Sequence, residues 1–134
     1  MKRFTNSENI ELKDLEDAIA YSTCVTAKNT KADAIVCYTH TGDSARRLSG
    51  MGAECPILAV TDSKRTFRQL ALAWNVHPVF VEAKENTDET VKAGIEKLKA
   101  KGILEAGDKL ILAGGHSFIN GVKMSKIVGG YVEI

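Results

Sequence analysis

The sequence predicts an α/β fold in which a mainly parallel sheet is covered by helices on both faces. Short apolar runs at 32–38, 56–61, 76–81 and 109–115 are too short for helices and are apolar at consecutive positions, as strands buried on two faces are. Segments with helical spacing separate them. Such alternation implies crossover connections, which parallel neighbours require and which are almost always right-handed.

Taken in order, Leu12, Leu15, Ile19, Ser22 and Thr26 repeat at helical spacing, with Asp14, Glu16 and Asp17 early and Lys28 late, as a helix dipole favours. "ADAIVCY" is the first strand, and "DSARRLSGMG" a short helix ended by Gly50 or Gly52. "PILAVT" is the second strand. "SKRTFRQLALAW" reads as a third helix whose buried face is Phe67, Leu70, Ala71 and Trp74. "VHPVFV" is strand three. Asn86 caps the next helix with Glu89 three residues on; Val91, Gly94, Ile95 and Leu98 mark its inner face, and Gly102 stops it. "KLILAGG" is strand four. After Gly115 the periodicity lapses into "HSFINGVKMS", read as a loop, and "KIVGGYVEI" offers a last strand broken by Gly129 and Gly130.

The 134 residues fit one domain, 1–134, with 1–11 expected as a flexible N-terminal segment. Eighteen basic against 17 acidic residues form no basic stripe, which argues against nucleic acid. Cys24, Cys37 and Cys55 are odd in number and form no C-x-x-C pair, so they read as reduced core thiols. The N-terminus "MKRFTNSENIELKD" lacks an apolar stretch, and no run approaches the ~20 apolar residues of a membrane span. A cytoplasmic protein with no membrane partner is the expectation.

In an open α/β sheet, ligands bind beyond the carboxyl ends of the strands, where strand order reverses. Two turns stand out there. In "THTGDS", Gly42 permits close backbone approach, the amides of the following helix point outward, and Thr39, Thr41 and Ser44 add hydroxyls. In "AGGHSFING", Gly114 and Gly115 thin the wall beside it. Were strands one and four neighbours, the two turns would share a crevice with His40 and His116 on its rim. A metal site lacks a third ligand type among the histidines' sequence neighbours, and no G-x-S-x-G elbow, G-x-G-x-x-G or P-loop lysine is present, so neither metal, cofactor nor catalytic constellation is expected.

In register, these motifs resemble the C-terminal domain of pyruvate kinase over nearly the whole chain. Residues Thr39, His40, Thr41, Gly42, Asp43, Ser44 and Ala45 match that family's T-x-[ST]-G-x-[ST]-A turn, and "CPILAVTDSKRTFRQLALAWNVHPVFVE" resembles its P-I-x-A-V-T followed by R-Q-L-A-L-x-W-G-V-x-P. The resemblance implies a three-layer α/β/α sandwich with a five-stranded sheet of order 3-2-1-4-5, strand five antiparallel. It also implies a non-catalytic, allosteric role in which the turn at 39–44 cradles the phosphate of a sugar phosphate and the loop after strand four closes over the sugar. The catalytic barrel of that family is a separate domain.

Two departures matter. Asp43 stands where a neutral or basic residue suits a phosphate, and a carboxylate ~4 Å from an anion is repelled by about 1 kcal/mol even in water. The loop "AGGHSFINGVKMSK" lacks the family's S-G-x-T-N-like ending, leaving Asn120 and Lys123 as its nearest donors. Protonated His40 or His116 would offset Asp43 and strengthen binding below roughly pH 6.5, the ordinary histidine value. The expected partners are therefore a sugar phosphate or other small anion and a second copy, paired through the C-terminal strand. The competing readings are a self-associating domain with no ligand and a small enzyme using His40 and His116.

Overall fold

The computed structural model describes residues 15–119 and 122–133, with backbone alone for 114–119 and 122–126. The elements are α1 (Leu15–Thr30), β1 (Ala34–Tyr38), α2 (Asp43–Gly50), β2 (Ile57–Thr61), α3 (Lys64–Leu70), β3 (Val76–Phe80), α4 (Thr87–Ala100), β4 (Lys109–Ile119) and β5 (Val122–Tyr131). One five-stranded sheet runs β3-β2-β1-β4-β5. Its pairs are parallel except β4 with β5, which is antiparallel. The order expected from the resemblance is the one observed.

Alternation along the central strands builds two cores. Ile35 and Cys37 of β1 join Ile57 and Ala59 of β2 beneath Ala20 and Ala27 of α1, Ala45 and Leu48 of α2, and Leu70 of α3. Ala34 and Val36 face the other way, with Leu58, Val60 and Val79, beneath Leu98 of α4. Because both faces of β1 and β2 are covered, their side chains are apolar at consecutive positions, which is what made the runs legible. On the second face Gly94 is a steric requirement: a Cβ there would stand 2.5 Å from Val60 Cγ2.

Local details differ from the sequence reading, each for a physical reason. The inner face of α1 is Ala20, Thr23 and Ala27, while Leu15 is 62% exposed. Small side chains let the helix lie close to the sheet, so the larger apolar residues were the wrong guide; Leu12 lies outside the described residues. Helix α3 ends at Leu70, which is the one residue of the expected four-residue face that is fully buried. Beyond the helix, Asn75 turns the chain into β3 with a left-handed φ of 58°, and its side-chain amide donates to Ala53 O at 3.1 Å and Cys55 O at 2.8 Å. Phe67 is partly exposed, and Trp74, beyond the helix, is 69% exposed.

The largest correction follows strand four. In place of a loop from His116, β4 continues to Ile119 and pairs with β5 from Val122 onward. Gly129 and Gly130, expected to break the last strand, stay in the ladder opposite Ile111 and Leu110. The period-2 signal was masked by small and polar residues in a ribbon extending past the end of β1. No helix among the described residues is long and apolar enough to cross a membrane.

Candidate functional site

The β1-to-α2 turn lies at the point where strand order reverses: β1 connects to β2 on one side, and β4 returns to pair with β1 on the other. Thr39 extends the strand by donating its amide to Val60 O at 2.9 Å, and its buried hydroxyl oxygen accepts from Gly42 N at 2.7 Å. Thr41 Oγ1 accepts from Asp43 N at 3.4 Å. Each hydroxyl keeps its own proton to donate. Gly42 makes the tight entry possible with φ of 96°, a left-handed value that costs an L-residue strain.

Helix α2 starts on that glycine and receives no side-chain cap. By contrast, Ser63 caps α3 by accepting from Thr66 N, and Asn86 caps α4 by accepting from Glu89 N. With the Asp43 amide engaged by Thr41, the first-turn amides of Ser44 and Ala45 are the ones that receive no side-chain cap. Over the turn lies Arg46, a residue the sequence reading missed. Its Nη1 donates to Thr41 O at 3.1 Å, its Nη2 donates to Gln69 Oε1 at 3.4 Å, and Asp43 Oδ1 stands 3.8 Å from Nη1. Its signal was positional, since Arg46 lies one helical turn beyond Gly42 and so returns over it.

His40 leans toward β2. Its Nδ1–H donates to Asp62 Oδ1 at 2.8 Å, and its carbonyl accepts from Thr66 Oγ1 at 2.6 Å. Tyr38 donates to the other Asp62 oxygen at 3.0 Å. Burial would raise the Asp62 carboxyl, but the hydrogen bonds from His40 and Tyr38 outweigh it and hold it below its ordinary value. Burial first, then the bond to Asp62, pushes the Tyr38 phenol up to about 12. Asp62 escaped the sequence reading because its link to the turn is made by strand pairing, with Tyr38 opposite Val60.

On the β4 side, Ala34 to Cys37 pair with Leu110 to Ala113, which brings Gly114 and Gly115 to the same end of the sheet as Thr39–Ser44. The ladder register shifts between Ala113 and His116, so that Gly114 and Gly115 together oppose one residue of β5. This is a bulge, the device that re-aims a strand next to a site. The backbone of His116 pairs with Ser125 and that of Lys123 with Phe118, farther along the ribbon. Their side chains, and Asn120 entirely, lie outside the described residues.

The thiols take no part. Burial pushes Cys37 up to about 12, and burial reinforced by neighbouring Cys55 pushes Cys24 up to about 11, so both stay protonated at neutral pH. Among the described residues no group of three or more His, Cys, Asp or Glu is arranged to hold a metal ion.

The strand order and the helices on both faces make this a doubly wound α/β domain, with the uncapped start of α2 at its switch point. Residues 17–128 match the family described as pyruvate kinase, alpha/beta domain, and the chain belongs to that family. It is 35% identical over 105 residues to the pyruvate kinase of Clostridium acetobutylicum, covering 78% of this chain and 22% of that enzyme. To the pyruvate kinase of Staphylococcus epidermidis it is 36% identical over 101 residues, 75% of this chain and 17% of the enzyme. With Clostridium perfringens pyruvate kinase the identity is 35% over 113 residues, 83% of the chain and 24% of the enzyme. The chain spans about a fifth of the length of these relatives.

Proposed function

We propose that this domain is a non-catalytic regulatory module of the cytoplasm that binds a small phosphorylated metabolite in the crevice between the ends of β1 and β4. The observation that carries the reading is the start of α2 on Gly42 without a side-chain cap, at the switch point of a pyruvate-kinase-type sheet. Thr39, Thr41 and Ser44 supply hydroxyl donors, Gly42 the close backbone approach, and the backbone at Gly114 and Gly115 the opposite side, where the sequence reading also expects His116, Asn120 and Lys123 to contribute. Arg46 adds the positive charge that Asp43 subtracts. The reading is one of binding: Asp62 engages both His40 and Tyr38 and so fixes their positions beside the turn.

The test is a thermal-shift titration with sugar phosphates, phosphoenolpyruvate, nucleotides and sulfate. A dose-dependent stabilisation that is lost in Thr41→Ala is the expected result. No stabilisation by any of these anions overturns the reading.

One observation favours a second role in self-association. β5 is an edge of the sheet, and Val128 and Tyr131 on it are 44% and 70% exposed. Unpaired strand backbone beside exposed apolar side chains invites pairing with a second copy about a two-fold axis.

A further inference from the structure

A concavity lies at the same end of the sheet as the 39–44 turn, beyond β3, two strands from β1 and roughly 10 Å across the sheet from it. It is a hollow of about 390 Å³ between the end of β3 and α4, lined by Phe80, Val81, Glu82, Lys84, Ala93 and Lys97. The volume lies at the lower end of the range for small-molecule sites, roughly 300 to 1,000 Å³.

We propose that this hollow binds a small organic anion: a carboxylate or phosphate head held by Lys97 and Lys84, with a flat apolar body resting on Phe80 and Ala93. Lys97 carries the argument. The residue is half-buried, its ammonium donates to Phe80 O at 2.7 Å, and no carboxylate among the described residues pairs with it. An ammonium has three donors, so two remain for an incoming anion. A partly buried cation without a counter-charge is costly, and an anion seated beside it relieves that cost.

The surroundings fix the ligand class. Lys84 is exposed on the rim, and Lys64 of α3 places its Nζ 5.7 Å from the centre of the Phe80 ring. Of the residues that line the hollow, Lys84 and Lys97 are cationic and Glu82 is the one carboxylate, so the lining carries a net positive charge. Val81 is buried and Ala93 half-buried, giving an apolar floor that a bare inorganic ion would leave unused. The site shares no residue with the 39–44 turn and stands or falls independently of it.

The experiment is a ¹H–¹⁵N correlation titration of the whole chain with benzoate, phenyl phosphate and inorganic phosphate. Benzoate and phenyl phosphate are expected to move the amides of Val81, Lys84, Ala93 and Lys97, with the stronger binder naming the preferred head group. Inorganic phosphate should bind at least about five-fold more weakly at these amides, for lack of an apolar body. Lys97→Gln should weaken phenyl phosphate about five- to ten-fold, and the same loss in smaller measure is expected for the exposed Lys84→Gln, which leaves the Phe80 bond in place. Thr41→Ala should change nothing at the hollow. Shifts confined to residues 39–44, unchanged affinity in both lysine variants, or no shift from either organic anion overturns the proposal.

Discussion

Asp43 is the residue at which the turn departs from what an anion wants, and the structure supplies part of its reason. Its carboxylate stands 3.8 Å from Arg46 Nη1, so it helps hold a guanidinium over Gly42 while repelling whatever approaches. Relief of about 1 kcal/mol of repulsion predicts that Asp43→Ser binds phosphate roughly five-fold more tightly, measured by calorimetry, and Arg46→Gln should move affinity the other way. Asp62 gives a prediction in pH. Its carboxyl is held below the ordinary value of 3.8, so the stability it contributes is complete above that value and is lost as pH falls through the lower, folded one. Tyr38 works at the other end. Its phenol is raised from 10.0 to about 12, so the folded state loses stability as pH rises between those values. Thermal melts across pH should show both declines, with the acid one reduced in Asp62→Asn and the alkaline one in Tyr38→Phe. The turn itself was legible because glycine, threonine and serine at a strand end are the residues of turns and helix caps. Asp62 and Arg46 were not, because their roles arise only once β2 and the first turn of α2 are placed.

At the scale of elements, the central strands and α4 were read nearly in full, and the failures share a cause. Sequence periodicity weighs large apolar residues, whereas α1 buries Ala20, Thr23 and Ala27, and α3 is two turns long with Trp74 beyond it. The extension of the β4–β5 ribbon beyond Gly115 was missed because Gly114, Gly115 and Ser117 carry little strand propensity; its pairing comes from an antiparallel partner that follows directly. Close approach of elements gives the clearest stability prediction. Gly94→Ala gains about 1 kcal/mol of helix propensity, yet its Cβ would meet Val60 Cγ2 at 2.5 Å and Cγ1 at 2.7 Å. Val60 is fully buried and β-branched, so it has nowhere to turn. Overpacking of about 1–3 kcal/mol offsets that gain or exceeds it, and with the buried Val60 unable to yield, urea denaturation should show a net loss of up to about 2 kcal/mol.

At the scale of the whole molecule, the sheet has two edges of unlike character, and the difference decides where a second copy would pair. β3 carries Pro78, which has no N–H to offer, with exposed His77 beside it. Such an edge is blunted against pairing. The described part of β5 has no proline, exposes Val128 and Tyr131, and places Gly129 and Gly130 between them, where no side chain stands in the way of a neighbouring backbone. Strand order, which was readable only through the family resemblance, is what makes β5 an edge at all. Self-association should therefore run through β5 and leave β3 unused. In sedimentation velocity, a dimer that becomes monomeric in Val128→Lys, and persists in His77→Lys, is the expected outcome. Because Val128 is already 44% exposed, a lysine there costs the folded monomer little, so loss of the dimer would report the contact rather than unfolding. A dimer untouched by Val128→Lys would move the interface away from this edge, and a monomeric wild type would remove self-association and leave the two proposed anion sites, at β1 and β4 and at β3, as the means by which the domain meets another molecule.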